Sequence, residues 1–168
     1  EYILAAYNYN LVRRVYPNSP FVKESFFKAG ICYYNLAPSY DRDQNYTMMA
    51  IKTMSEFQQV YPSDSLTNII NANIQELRDR LGEREYSIAE LYRKLLSPNS
   101  ALIYYESVIE QYYDTKYYEP AFVGKIEVLL EMKKWEKARN AIDTYYSTFK
   151  NGDLPDKVKE LESSLPPE

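Results

Sequence analysis

Two carboxylate pairs in this chain, Glu83 with Glu85 and Asp41 with Asp43, have the kind of spacing that could supply an acid and a base for hydrolysis. Nothing around them completes that chemistry. The 168 residues include no histidine, which removes the usual general base near neutral pH and the commonest metal ligand. Only four glycines are available for phosphate-cradling loops. Neither pair is flanked by a convergent polar set, and charges so placed act as solvated or helix-capping groups. The single Cys32 lies in the helical stretch FFKAGICYYNLA, where it reads as a small buried hydrophobe rather than a reactive thiol. The chain is therefore expected to be non-enzymatic, with no catalytic, cofactor or metal site.

Recognition chemistry is better represented. The 20 basic and 24 acidic residues are interspersed and give a net charge of -4, which argues against a nucleic-acid or anionic-membrane surface. Nineteen tyrosines suit contact with proteins, because aromatic residues are enriched at protein interfaces. Tyr9, Tyr33, Tyr92, Tyr105 and Tyr145 fall on regularly repeated positions and are expected in the core. The doublets Tyr104/Tyr105, Tyr112/Tyr113 and Tyr117/Tyr118 cannot both face one core, since helical neighbours point about 100° apart, so one of each is expected at the surface. The run RDRLGERE, Arg78 to Glu85, mixes signs at helical spacing, which suits local ion pairs or a docking surface. No run approaches the roughly 18 apolar residues of a membrane span, and no signal segment opens the sequence.

The elements that must position these residues follow from one spaced pattern. A small residue, a large one four later and an apolar one three beyond recur as Ala5, Tyr9, Val12; Ala50, Met54, Phe57; Ala101, Tyr105, Val108; and Ala138, Ile142, Tyr145. Steps of four and three share one helical face, and Pro17 and Pro62 follow tyrosines where the helices must stop. Each copy is the second helix of a hairpin. Gly30 and Tyr33, then Ala89 and Tyr92, mark first helices upstream. A period near 34 residues resembles the tetratricopeptide repeat, which implies an all-α, right-handed solenoid of helical hairpins in a single domain. Its parts are expected as the second helix of a truncated hairpin over 1–17, repeats over about 18–62, 63–115 and 116–150, and a C-terminal helix over 154–165. The longest helix is expected from about Ser65 to Leu96, continuous or bent near Gly82, with an apolar stripe of Leu66, Ile69, Ile70, Ile74, Leu77 and Leu81. Asp41 or Asp43 should cap the helix after the loop PSYDRDQN, and ESSLPPE should be a frayed tail.

The segment LRDRLGEREYSIAELYRK, Leu77 to Lys94, resembles the signature of the BamD family of repeat-containing lipoproteins in the outer-membrane β-barrel assembly machine. The matching positions are Leu77, Asp79, Arg80, Leu81, Glu85, Ala89 and Tyr92, with DRDQ (41–44) and EFQQVYPSDS (56–65) in agreement on the upstream side. The chain departs from the family after the signature, where LLSPNSALIYYES replaces an arginine- and glycine-containing turn and Tyr104 stands near a position that tends to be basic. The resemblance implies a scaffold on the periplasmic face of the outer membrane, anchored there by an N-terminal lipid that is expected to lie outside this chain. Its implied partners are the periplasmic domains of the barrel-forming subunit, further assembly lipoproteins and unfolded outer-membrane proteins. The docking surface it suggests comprises Arg78, Arg80, Glu83, Arg84, Tyr86, Glu90 and Tyr104. The alternative is a generic periplasmic or cytosolic repeat adaptor for another complex.

Overall fold

The computed structural model describes residues 1–167. These form eight helices and no strand among the described residues. Chain contacts divide them into two compact units, Glu1–Leu81 and Gly82–Glu168, and α4 contributes to both.

Unit one holds α1 (Tyr2–Val15), α2 (Val22–Leu36), α3 (Asn45–Val60) and the first part of α4 (Thr67–Lys94). Its two tyrosine–proline turns end their helices in the same way. Tyr16 (φ -125°, ψ 59°) and Tyr61 (φ -128°, ψ 60°) leave the helical region ahead of Pro17 and Pro62, while their amides still donate to Val12 and Phe57. Phe26, Met54, Phe57 and Ile70 form the core, with Phe26 edge-on to Phe57 at 5.6 Å. The second copy of the pattern is buried as expected. In the first copy Ala6 rather than Ala5 is the buried alanine, and Tyr9 and Val12 are half-buried, because α1 packs principally on α2 and has one face without a helical neighbour in this unit. Ile69, expected on the apolar stripe, is 49% exposed, whereas Ile70 and Leu77 are buried. The long loop before α3 is organised by buried Gln44, whose amide donates to the carbonyls of Ser39 and Arg42 while its oxygen accepts from Thr47. Asp43 accepts from the Asn45 amide at 3.0 Å, and Asp41 instead takes the Ser39 hydroxyl.

Unit two holds the rest of α4 with α5 (Pro98–Gln111), α6 (Tyr118–Glu131), α7 (Trp135–Thr148) and α8 (Pro155–Ser163). One cluster gathers Ala89, Ala101, Tyr105, Val108, Ala121 and Val128, and a second gathers Phe122, Ile126, Ile142, Tyr145 and Val158. Tyr117 packs into the first cluster and Tyr118 into the second, so neither is fully exposed, contrary to the rule expected of doublets. Helix α4 runs without interruption through Gly82. The glycine answers to packing there: a Cβ would lie 2.8 Å from Thr115 Oγ1, a hydroxyl already donating to the Tyr112 carbonyl that ends α5. The C-terminal segment is held rather than frayed, with Leu161 and Leu165 on the second cluster and Arg139 bonded to the Pro166 carbonyl.

Helices α4 and α6 end alike. The amide of Ser97 reaches back to the Tyr92 carbonyl and that of Lys134 to Leu129, placing Leu96 (φ 55°) and Lys133 (φ 56°) in the left-handed conformation. Each costs roughly 1–2 kcal/mol relative to glycine.

Candidate functional site

The seven candidate docking residues divide between the units. Arg78 and Arg80 belong to unit one, and Glu83, Arg84, Tyr86, Glu90 and Tyr104 to unit two.

Arg80 is committed to the fold. Its guanidinium donates to the Ala37 carbonyl at 3.0 Å, which caps the C-terminal end of α2, and to Glu76 at 2.6 Å. Tyr34 donates to the other oxygen of Glu76. The Tyr34 hydroxyl and then Arg80 hold the Glu76 carboxyl below its ordinary range, and the same bond to Glu76, with burial, pushes the Tyr34 phenol up. Arg78 is half-buried on the same helix. Unit one also carries a groove of about 840 Å³, lined by Ile3, Tyr7, Tyr33, Met48, Met49 and Lys52.

In unit two, Tyr86 packs against Tyr105 and Tyr117 with ring centroids 5.9 and 5.6 Å away. Tyr105, fully buried, donates its hydroxyl to Glu90. Burial first and the Glu90 carboxylate second push the Tyr105 phenol up, and the same two causes raise Tyr86. Tyr86 and Glu90 line a recess of about 240 Å³ together with Gly124, Glu127 and Lys157. Its Glu127 is paired twice over. Lys157 pairs with Glu127 at 3.0 Å, and Arg93 clamps Glu127 and Glu131. Burial lowers the Arg93 guanidinium, but Glu131 and Glu127 outweigh it and raise the group overall. Glu83 and Arg84 are half-buried on α4, while Tyr104 lies flat on Tyr92 with centroids 5.4 Å apart and planes 15° apart.

Sequence reasoning missed Arg93, Glu127 and Lys157. Arg93 carried a signal, since Tyr86, Glu90 and Arg93 step by four and three along one face of α4. Glu127 and Lys157 come from α6 and α8, and local spacing holds no record of that meeting. In unit two the arrangement is aromatic packing and ion pairing on helices. Among the described residues no group of three or more His, Cys, Asp or Glu side chains could hold a metal ion, and no helix is long and apolar enough to cross a membrane.

A family model described as YfiO, outer membrane lipoprotein, matches residues 1–143. The chain belongs to this family. Within the match fall the signature helix α4, all seven candidate docking residues and the Tyr92–Tyr104 stack; α8 lies beyond it. The chain is also 26% identical over 125 residues to the outer membrane protein assembly factor BamD of Caulobacter vibrioides, covering 74% of this chain and 41% of that protein. The chain thus spans about two fifths of the length of this curated relative. All-helical architecture agrees with the helical-repeat fold of the YfiO family.

Proposed function

We propose that this chain is part of a non-enzymatic scaffold for outer-membrane β-barrel protein assembly, and that it docks the periplasmic domains of the barrel-forming subunit. The family match over residues 1–143 carries this reading, supported by the BamD relative. In this reading the protein sits at the periplasmic face of the outer membrane on a lipid anchor, alongside other assembly lipoproteins, and helps unfolded outer-membrane proteins to fold and insert. Fixed helices suit such work, because a surface already ordered loses little conformational entropy on binding. In unit two the docking surface is carried by α4 and α5, with Glu83, Arg84, Tyr86, Glu90 and Tyr104 as its members; in unit one, on its own part of α4, Arg78 is a further docking candidate and Arg80 holds the end of α2.

The test is a double reversal, Glu83→Lys with Arg84→Glu, which keeps the net charge. Binding of the purified periplasmic domains of the barrel-forming subunit should weaken by about tenfold or more, in a variant whose helical circular dichroism and cooperative melting show it to be folded. Unchanged affinity in a folded variant would reject this surface. A wild-type protein that ignores those domains would send the function to an adaptor for another complex.

A further inference from the structure

We infer that α8 is a strap over the recess of Tyr86 and Glu90, and that its Lys157 holds a place which a basic side chain of the docked partner takes when α8 swings out. This rests on the proposed docking of the barrel-forming subunit's periplasmic domains and adds its regulation. Two docking candidates, Tyr86 and Glu90, line the recess of about 240 Å³, and α8 with the turn before it supplies Lys157 and Leu154 to the same lining. A partner that reaches into the recess therefore meets α8 at its rim. Helix α8 lies beyond the residues 1–143 that match the family model, so family-matched α4 and α6 are covered there from outside the match.

The double pairing of Glu127 is what lets α8 leave. The Glu127 side chain is 14% exposed and carries both Lys157, at 3.0 Å, and Arg93. Stripping a shielded carboxylate of its cation is unfavourable, but Arg93 stays on Glu127 when Lys157 departs, so no charge is orphaned. Lys157 itself is 47% exposed, and a pair so open to water stabilises little. The helix has nine residues, too few to hold a helical form alone, and Val158 is its one fully buried side chain, with Leu161 half-buried. Its base is pinned, because Glu119 accepts the amides of Asp153 and Leu154, so α8 can swing about that turn without drawing α7 away. Once Lys157 has left, Arg93 alone faces the carboxylates of Glu90, Glu127 and Glu131, beside the ring of Tyr86. Complementarity asks for a second cation there, held by charge and by the aromatic face.

Calorimetric titration of the full-length protein with the purified periplasmic domains of the barrel-forming subunit tests this. Lys157→Ala should raise affinity about two- to fivefold, the ratio that corresponds to an exposed ion pair, and Lys157→Arg, which restores the cation, should bind like the wild type. Hydrogen exchange supplies a second reading: on binding, the amides of α8 should exchange faster while those of α6 and α7 keep their protection. Slower exchange of α8 in the complex, or weaker binding by Lys157→Ala, would make α8 part of the docked surface and overturn the strap. If Lys157→Ala binds like the wild type, with α8 exchange unchanged, while the Glu83/Arg84 reversal abolishes binding, the strap is wrong and the docking reading stands. If neither the wild type nor Lys157→Ala binds those domains, both readings fall.

Discussion

Gly124 is where Tyr105 rests. A Cβ there would fall 2.5 Å from the ring of Tyr105, which is fully buried and anchored by its hydroxyl to Glu90. The ring has no room to retreat. Alanine gains about 1 kcal/mol of helix propensity over glycine, but overpacking a rigid core costs typically 1–3 kcal/mol. Gly124→Ala should therefore destabilise the protein by about 1 kcal/mol net in urea denaturation, and a stability gain would show that the ring moves freely. The sequence made Tyr105 legible through its four-and-three spacing from Ala101 and Val108. It did not reveal Gly124 as the partner, because that contact joins α5 to α6. Ile69 and Leu96 were misjudged or passed over for a related reason: hydrophobicity says that a residue prefers the interior, and only the packed neighbours decide which of several apolar side chains get there.

Helices themselves were legible to within about three residues, because their periodicity and proline stops are local. Their tethers were not. Glu119, on the first turn of α6, accepts the Tyr145 hydroxyl at 2.6 Å and the amides of Asp153 and Leu154 at 3.0 and 2.9 Å. One carboxylate thereby fixes α7 and the turn into α8 to α6, and nothing in the spacing of Glu119 foretold it. Burial raises its pKa, but the Tyr145 and backbone donors win and hold it below the ordinary glutamate range. A carboxyl with a depressed pKa in the folded state stabilises fully above its unfolded value, and that stabilisation is lost as pH falls through the folded value. Glu119→Gln should thus cost about 1–3 kcal/mol near pH 7, with the gap from wild type narrowing as pH falls below about 4. Urea titrations across that range read it directly. A gap independent of pH would mean that the ionised form has no special part in holding α8.

At the scale of the molecule, the two units carry separate cores. Phe57 is fully buried among Phe26, Met54 and Ile70 in unit one, whereas Tyr145 and Tyr105 centre the clusters of unit two. In a repeat protein each element relies on its immediate neighbours, so a lesion should spread only as far as its contacts. Phe57→Ala removes most of a buried ring that meets Phe26, Phe27 and Tyr61, and such truncations cost about 3–5 kcal/mol. Hydrogen exchange should show protection lost across α2 and α3, with α6 and α7 keeping theirs. Equal loss in both units would show instead that the chain opens as one cooperative block. The distinction bears on the proposed function. If the units open independently, the surface of unit two that bears Tyr86, Glu90 and Tyr104 should keep its affinity for the barrel-forming subunit's periplasmic domains in Phe57→Ala, and calorimetric titration with those domains would measure that.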